Sequence, residues 1–521
     1  LGCALPLGLP IAVTDPVPQP LKHLVARFAR THGPFVAQEV AARFGATNER
    51  IAQACELLES DNRLVRGEFR PSGVDREWCD VEVLRQLRRR SLAALRREVE
   101  PVEQAALGRF LPSWHHIDSP QRGMESLVNT LGILQGAAIV ASTLEVDVLP
   151  LRVQGYKITD LDELCASGEV VWVGAGAIGA NDGRIRLFFA DQLPVLSPAI
   201  DSPEAPNGDL HSAIRESLAA RGAIFFSQLR SAAPQSTDSE VLAALWDLVW
   251  AGEVTNDTFA PMRAMLAGGK SSSRTAPRSV TRAGRPRPGR LSKIGPPTGA
   301  GRWSLVAPMR MPVPTATASA HAAALQMLER HGVVTREAVL GEGAVGGFAS
   351  VYGVLKTLEE RGHVRRGYFV DGLGAAQFAL PGAVDRLRDA RDPIDAAINP
   401  ELMPVPLVLA ATDPAQPYGA TIPWPITMGR PTRSAGAVVV LVNGEPVVWC
   451  DPKSYSLVAF DGAHTSPTWA IALVALVKNG RRRSLEIRKI DGAEISHEND
   501  LLPALQAAGF VQSYRGWVLR D

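Results

Sequence analysis

The sequence predicts an α+β protein built from tandem winged-helix domains, with a β-barrel-like domain at its C-terminal end. Three observations predict this class. Short helices that end in a polar turn and a strand occur four times along the chain. A stretch rich in Gly, Pro and Arg separates the third copy from the fourth, and residues 391–521 change to strand-like segments. A chain of 521 residues is long enough for roughly three to five domains.

Residues 1–80 are predicted to form the first winged helix. Apolar side chains recur with helical spacing at Leu21, Leu24, Val25 and Phe28. The sequence His32-Gly33-Pro34 ends that helix, and two short helices follow with Gly45 at the turn between them. The segment "RLVRGEFRP" then predicts a strand that enters a wing. Helix, turn, helix and a strand pair together indicate the winged form of the helix-turn-helix.

Residues 81–200 are predicted to contain a long basic helix and the second winged helix. The long helix has a basic face made of Arg85, Arg88, Arg89, Arg90, Arg96 and Arg97. A later helix is followed by "EVVWVG", a Gly-rich turn and "RIRLFFA", which predicts a recognition helix and a wing hairpin. We expect Arg85, Arg88, Arg89 and Arg96 to contact nucleic-acid phosphates; a solvated helix face is the alternative.

The third and fourth copies are predicted over residues 207–267 and 302–390. Each closes a helix with a polar turn before a strand, as in "LVWAGEVTND" and "LEERGHVRRGYF", which indicates a diverged internal repeat. Trp246 and Trp250 are spaced i, i+4 on one helix, and this spacing favours core packing over base stacking. At the root of the fourth wing, phosphate contacts are predicted for Arg365, Arg366 and Tyr368, against a solvated strand edge.

Residues 268–301 are predicted to form a basic flexible linker, because they contain no acidic residue and too few apolar residues for a core. Arg285 and Arg287 lie within it. Two interpretations remain open for this segment. It is either a solvated linker or an electrostatic tether that contacts phosphates.

Residues 391–521 are predicted to form a small barrel or curled sheet with a terminal helix and strand. The clearest local signal is "VLVNGEPVVWC", in which Asn443 and Gly444 separate two apolar runs. Asn-Gly between apolar runs is a strong hairpin signal, because both residues readily adopt the left-handed backbone conformation of a tight turn.

The composition limits the classes of partner. The formal net charge is +1, so any basic surface must be local. The five cysteines are scattered without zinc-ligand spacing, and the adjacent His115 and His116 do not share a face. We therefore expect no metal site and free thiols in a reducing, cytoplasmic compartment.

No apolar run approaches the length of a membrane span, so no membrane partner is expected. Because the chain begins with Leu1 rather than Met, we expect it to be part of a longer polypeptide.

Several long strings make the chain resemble the C-terminal region of the bacterial Lhr (large helicase-related protein) family. They are "LRREVEPVEQAALGRFLPSW" (95–114), "LDELCASGEVVWVGAGAIGANDG" (161–183), "GRWSLV" (301–306), "RRGYFVDGLGAAQFALPGAVDRLR" (365–388) and "ATDPAQPYGATIPWP" (411–425). The resemblance implies a parent with an ATP- and Mg-dependent superfamily 2 motor that moves 3′ to 5′ on single-stranded DNA in DNA repair. This chain contains no GxxxxGK[ST] loop, so we expect no cofactor in it.

More distantly, the chain resembles the AlkZ/YcaQ family of winged-helix DNA glycosylases. That family's signature is Gln-x-Gln or Gln-x-Asp, in which two polar side chains orient a water at the sugar–base bond. Gln135 matches the first position, whereas the second is Ala137, which can neither accept a proton nor align a nucleophile. Gln135 and Asp413 are the candidate catalytic residues, with Glu145 and Asp147 as further carboxylates. The alternatives are a buried structural glutamine and an Asx-type turn.

Three functional hypotheses follow. The first is a non-catalytic module that binds single-stranded DNA or an RNA–DNA hybrid and assembles the parent helicase as a homo-oligomer, since tandem copies multiply weak contacts. The second is a DNA glycosylase that extrudes a uracil or alkylated base and cleaves its glycosidic bond. The third is a transcription regulator built from winged helices, which the helicase-like strings disfavour.

Overall fold

This computed structural model describes residues 17–70, 76–197, 205–268, 296–374, 376–391, 405–465, 467–496 and 499–520, excluding the side chains of 92–99. The chain forms two compact units, Leu1–Glu100 and Pro101–Asp521. Helices and short antiparallel strands alternate in both, so the predicted α+β class is confirmed. Within the described ranges, no helix is both long and apolar enough to cross a membrane.

The first unit contains a winged helix and the long basic helix. Its elements are α1 Pro20–Ala29, α2 Ala37–Phe44, α3 Asn48–Ser60, β1 Leu64–Gly67, β2 Glu77–Asp80 and α4 Val81–Val99. Helix α2 ends at Gly45, whose φ of 62° is a left-handed conformation that glycine adopts without steric cost. The predicted helix-turn-helix and strand pair are therefore confirmed. The predicted boundary between residues 80 and 81 is not, because α4 belongs to this unit.

The second winged helix follows α5, Gln104–Trp114. Its elements are α6 Met124–Leu134, β3 Ile139–Val140, α7 Ala141–Thr143, a π-helix Leu144–Val148, α8 Leu149–Arg152, α9 Ile158–Ala166, β4 Val170–Ile178, β5 Asp182–Phe189 and α10 Leu193–Leu196. Strands β4 and β5 pair antiparallel, which confirms the predicted wing hairpin. The π-helix carries Glu145 and Asp147, and such irregular turns are frequent at sites under functional or packing constraint.

The third winged helix requires a correction to the predicted boundaries. Its elements are α11 Asp209–Arg221, β6 Ile224–Phe225, α12 Phe226–Ala232, α13 Asp238–Trp250, β7 Val254–Asn256, α14 Ala260–Leu266 and β8 Arg302–Leu305. Strand β8 lies between β6 and β7 in one sheet, so it belongs to this domain and not to the fourth. The predicted linker therefore lies between two elements of the third winged helix along the chain, and its residues 269–295 lie outside the described residues. Buried Trp303 explains the place of β8, because its ring packs edge-on against Trp246 at 5.8 Å.

The second and third winged helices share one hydrophobic core, in which Trp172, Leu245 and Trp303 are all buried. Strand β4 packs directly on α13, since a Cβ at Gly174 would overlap the backbone carbonyl of Val249. Trp246 is buried, in agreement with the predicted core role. These two repeats therefore fold as a pair.

The fourth winged helix has the predicted order of elements. They are α15 Ala316–His331, β9 Val333–Val334, α16 Arg336–Gly341, α17 Gly347–Glu360, β10 Arg365–Gly367 and β11 Gln377–Ala379, followed by α18 Pro381–Asp389. Strands β10 and β11 form the wing, and β11 also pairs with β9. Its core is formed by Leu328, Val351, Leu355 and Phe378.

The C-terminal region is not a closed barrel within the described residues. Its elements are β12 Leu407–Ala410, β13 Val438–Val442, β14 Glu445–Asp451, β15 Ser456–Ala459, α19 Thr468–Lys478, β16 Ser484–Ile487, β17 Lys489–Ile490, β18 Ala493–Glu494, α20 Leu502–Ala507, β19 Val511–Ser513 and β20 Gly516–Arg520. An open sheet runs in the order β12-β13-β14-β15-β17-β18, and a second sheet runs β16-β20-β19.

The larger sheet stays open because both of its faces are covered. Val438 and Val440 pack into the cluster that contains α19, whereas Val439 and Leu441 pack into the cluster that contains α5 and α18. A sheet that is buried on both sides has continuous apolar strands, and "VVVLV" is such a run. The predicted hairpin is confirmed, since β13 and β14 are joined at Asn443 and Gly444, both with positive φ.

Candidate functional site

A cleft of about 410 Å³ opens where α5, the wing of the fourth winged helix and the larger C-terminal sheet meet. Its lining residues are Glu103, Gln104, Ala105, Asp371, Tyr418, Pro425, Ile426, Glu445, Pro446, Phe460, Asp461 and Gly462. Three of the strings that carry the family resemblance, 95–114, 365–388 and 411–425, each contribute to this lining. Segments far apart in the chain therefore converge on one concave surface, where binding sites are most often found.

Close contact between α5 and the β13–β14 turn shapes one wall of the cleft. A Cβ at Gly108 would overlap the backbone carbonyl oxygen of Gly444, so the helix and the turn meet without intervening side chains. Arg109 fixes this contact: its Nη1 donates to the carbonyl of Asn443 at 2.6 Å, and its Nε donates to that of Ala390 at 2.7 Å. The wall is therefore rigid.

A stack of three aromatic rings forms the floor and its support. Trp424 lies between Tyr418, at 6.4 Å, and Phe460, at 6.1 Å, with interplanar angles of 24° and 12°. The Tyr418 hydroxyl donates to the carbonyl of Gly444 at 2.8 Å, and burial raises the pKa of this phenol. Tyr418 thus remains a neutral hydrogen-bond donor with a fixed ring. Tyr418 and Phe460 are each only 4% exposed, so they form an apolar boundary of the cleft and offer a ligand little open ring face.

Four exposed carboxylates surround this floor, namely those of Glu103, Asp371, Glu445 and Asp461. Glu103 lies 3.3 Å from the Arg109 guanidinium. Asp371 accepts a hydrogen bond of 2.8 Å from the Tyr368 hydroxyl. Glu445 and Asp461 form no ion pair with any residue in the described part of the chain. Such an arrangement repels phosphate but can orient water or accept its proton.

The structure places Asp413 away from this cleft. Asp413 is completely buried, and its two carboxylate oxygens accept from Arg152 Nη1 at 2.9 Å and Nη2 at 2.6 Å. Its Oδ1 also accepts from the backbone N–H of Ala415 at 2.8 Å, the bond expected of an Asx-type turn. This geometry supports the structural interpretation of Asp413, since no face of the carboxylate is open to a substrate.

Gln135 is also bound within the protein. Its Oε1 accepts from the backbone N–H of Phe189 at 3.0 Å, and its side-chain amide lies 3.5 Å from Gln326 Oε1. Its backbone carbonyl accepts from Arg330. Gln135 and Ala137 are both buried, and neither lines the cleft. The structure therefore favours the buried structural role for Gln135.

The two carboxylates of the π-helix are neutralised by arginines from other domains. Glu145 accepts from Arg263 Nε at 2.6 Å, and Asp147 accepts from Arg481 Nη2 at 2.8 Å and Arg482 Nη2 at 2.9 Å. Asp147 is buried. Each carboxylate is therefore held in an ion pair with an arginine from another domain.

The predicted phosphate contacts fall in different parts of the molecule. On the fourth wing, Arg365 is exposed and lies 4.0 Å from Asp385, while Arg366 lies over the rings of Tyr352 and Phe378. Tyr368 is half-exposed and uses its hydroxyl to hold Asp371 at the cleft. In the first unit the basic helix exposes Arg85, Arg88 and Arg89. The side chain of Arg96, and all of Arg285 and Arg287, lie outside the described residues.

Comparison with protein families identifies two of the four winged helices. Two family models, each described as a winged-helix domain of the large helicase-related protein, match residues 102–190 and 313–397. A protein from Mycolicibacterium smegmatis named "Lhr helicase/ probable uracil glycosylase" is 43% identical over 540 residues, which cover 100% of this chain. The chain belongs to the large helicase-related (Lhr) family.

Further relatives extend the comparison. An Escherichia coli K12 Lhr protein named "Lhr helicase/uracil glycosylase" is 30% identical over 547 residues and covers 99% of this chain. The chain spans about a third of both Lhr relatives, 35% and 34% of their lengths. Among solved structures, the Streptomyces sahachiroi DNA glycosylase AlkZ aligns with a TM-score of 0.42 and 13% identity, covering 75% of this chain and 100% of that chain. This likeness is too weak to bear on function.

Sequence reasoning did not identify the four cleft carboxylates. Glu103 and Asp371 lie inside strings that resemble Lhr, and Glu445 directly follows the Asn-Gly turn, so their segments were noticed but their side chains were not. Tertiary contacts, including that between α5 and the turn, bring these acids together.

Proposed function

We propose that this chain is a DNA-binding region of an Lhr protein that excises uracil from DNA, and that the cleft receives the extruded base. The observation that carries the proposal is the combination of a fixed aromatic floor with carboxylates that are free of ion pairs, in a cleft of about 410 Å³. Enzymes that act on a base must take it out of the stack and hold it against aromatic or apolar side chains. The names of both Lhr relatives include a uracil glycosylase.

The proposed reaction is hydrolysis of the glycosidic bond. Uracil lies against the apolar boundary formed by Tyr418 and Phe460, and the Asp461 carboxylate, which follows Phe460 directly, orients a water molecule. The water oxygen bonds to C1′ as the C1′–N1 bond breaks. Asp461 accepts the water proton, and uracil leaves with the electron pair on N1. Asp371, held by Tyr368, positions the substrate edge.

The wing next to the cleft supplies the proposed grip on DNA. Arg365 and Arg366 lie on β10 in the same wing as Tyr368, which holds the cleft residue Asp371. Contacts of Arg365 to phosphates would bring a strand to the cleft, because guanidinium groups match phosphate geometry. Single-stranded DNA is the substrate we expect first, with an RNA–DNA hybrid and homo-oligomeric assembly as further proposals for the parent helicase.

The test is incubation of the chain, without ATP, with a single strand that contains one uracil, followed by alkaline cleavage. We expect cleavage at the uracil, and a loss of roughly 100-fold or more in Asp461→Asn, because a positioned general base typically contributes this much. Asp191→Asn is the matched control, since this exposed aspartate lies outside the cleft. DNA binding by Asp461→Asn should stay within about twofold of wild type.

The alternative function is a non-catalytic grip and assembly module of the helicase. The second and third winged helices favour this alternative, because they share one hydrophobic core and use much of their surface to contact each other. Under this alternative the wild-type chain leaves the uracil strand intact but binds it in a salt-sensitive manner.

A further inference from the structure

A short ridge of exposed side chains stands at the rim of the cleft. Ile426 lines the cleft with its side chain fully exposed, and Met428 is 89% exposed. Arg430 is exposed as well, whereas the intervening Thr427 and Gly429 are turned towards the protein. The backbone bends at Met428 and Gly429, and the three exposed side chains follow one another at every second residue. The ridge therefore presents two large apolar groups and one cation close together in the chain.

The backbone beneath the ridge is fixed at several points. Trp424 is stacked between two rings on one side of it. The Thr427 hydroxyl donates to the carbonyl of Ala459 at 2.8 Å, and a Cβ at Gly429 would overlap the side chain of Val458. Because the segment is pinned to β15, Ile426 and Met428 cannot turn inward to bury their apolar surface. Exposed apolar groups on a rigid support indicate a binding role.

The shape of the ridge selects its partner. Three side chains on a narrow segment cannot bury the roughly 1,200 Å² or more of a stable protein–protein interface. A gap between two stacked bases, in contrast, is filled by one or two apolar side chains, and such wedges kink and unstack a duplex. Arg430, two residues after Met428, provides an exposed cation for contact with a phosphate beside that gap.

We propose that Ile426 and Met428 form a wedge that enters the base stack of duplex DNA beside the nucleotide extruded into the cleft, while Arg430 contacts the adjacent phosphate. This inference rests on the proposed function, because the extruded nucleotide is the one that the cleft receives. The wedge fills the space that the extruded base leaves and so opposes its return. A single strand has no such stack to reclose, so the wedge acts on duplex substrates.

The experiment compares the wild-type chain with Ile426→Ala/Met428→Ala on two DNAs, a duplex and a single strand, each with one uracil. We expect the double variant to lose excision from the duplex by on the order of tenfold or more. Met428→Ala alone, whose residue lies outside the cleft lining, should lose duplex excision while changing excision from the single strand by less than about twofold. Ile471→Ala is the matched control, since this isoleucine is 63% exposed on α19 and lies outside the cleft.

A second readout separates the wedge from the chemistry. The fluorescence of a 2-aminopurine placed beside the uracil rises when the stack opens, and this needs binding but no bond cleavage. A rise with the wild-type chain that the double variant loses supports the wedge, even if neither DNA is cleaved and the glycosylase proposal fails. Equal excision from the duplex by the double variant and wild type, equal losses on both DNAs in Met428→Ala, or no fluorescence rise with the wild type would overturn the wedge.

Discussion

The Pro101–Asp521 unit contains two groups of carboxylates that differ in their surroundings. Asp147, Glu342 and Asp413 lie between domains, and each is bound by at least one arginine. Asp371, Glu445 and Asp461 lie at the cleft, and within the described residues none of them pairs with an arginine or lysine. The first group is largely withdrawn from water, whereas the second is exposed.

The difference follows from the cost of burying charge. A carboxylate that loses its water must gain a cation and hydrogen bonds, or it destabilises the fold. The Arg330 guanidinium and His331 accordingly hold the pKa of Glu342 well below its usual range, against the effect of burial. A carboxylate that is committed in this way has no free oxygen for a substrate. In this Lhr region, the largely buried acids between domains all have an arginine partner, whereas of the four cleft carboxylates only Glu103 has one among the described residues.

The largest effect is expected from breaking the buried pair at Asp413. Asp413→Ala leaves the Arg152 guanidinium as an uncompensated charge in the interior, where its Nε has no partner among the described residues. We expect the free energy of unfolding of this unit to fall by about 3–5 kcal/mol. Urea unfolding followed by tryptophan fluorescence measures this change.

The control variant removes the Arg152 guanidinium charge as well as the Asp413 carboxylate. The double variant Asp413→Ala/Arg152→Met should recover part of the lost stability, because the apolar side chain leaves no buried charge unpaired. If Asp413→Ala unfolded at the same urea concentration as wild type, the carboxylate would be dispensable for the fold. The distinction between the two groups of acids would then fail.

The winged helices could be predicted from sequence because their signals are local. The apolar spacing in α1, the left-handed Gly45 and the Asn443-Gly444 turn each act over a few residues. The open C-terminal sheet could not be predicted from sequence. One of its faces is covered by α5, a helix about 300 residues away in the chain. The predicted C-terminal boundary of the third winged helix was wrong for a similar reason, because β8 joins its sheet only after a long intervening segment of the chain.

The candidate site was only partly predictable. Gln135 and Asp413 lie in motif-like strings, yet a sequence shows neither burial nor the partner of a charge. Arg152, which neutralises Asp413, is 261 residues away from it in the chain. The strings that resemble Lhr did locate segments of the cleft, since three of them contribute to its lining. Which side chains of those segments face the cleft depends on tertiary packing.

A smaller loss of stability is expected when the cleft wall is forced apart. Gly108→Ala places a methyl group against the carbonyl oxygen of Gly444, which must move. We expect a destabilisation of about 1–3 kcal/mol, as for other overpacked contacts. Gly353→Ala in α17 is the matched control, because its Cβ meets no atom and alanine favours a helix by about 0.5–1 kcal/mol. Equal effects of the two substitutions in urea unfolding would show that the wall is not tightly packed.

The smallest effect is expected from the titration of His115, a buried neutral side chain that contacts Arg152 and Arg330. The Nδ1 atom of His115 lies 3.2 Å from Arg152 Nη2, and its Nε2 atom donates to the backbone carbonyl of Arg330 at 3.0 Å. The side chains of His331 and Arg330 are also nearby. Burial, and then Arg152, hold the pKa of His115 well below its ordinary 6.5. Since Nδ1 must accept from a guanidinium that can only donate, the neutral ring is required.

The sign of the pH dependence follows from this depressed pKa. Below pH 6.5 the unfolded chain binds a proton at His115 that the folded chain does not, so stability is lost as the pH falls. The slope approaches about 1.4 kcal/mol per pH unit for one proton. We expect His115→Gln to reduce the slope between pH 6.5 and pH 5, and exposed His363→Gln to leave it unchanged, since that variant retains the buried His115. The free energy of unfolding is measured by urea unfolding at several pH values across this range. If its slope with pH were the same in His115→Gln as in wild type, the folded chain would accept a proton on the buried His115 ring. The contacts of this ring with Arg152 would then be less rigid than the structure indicates.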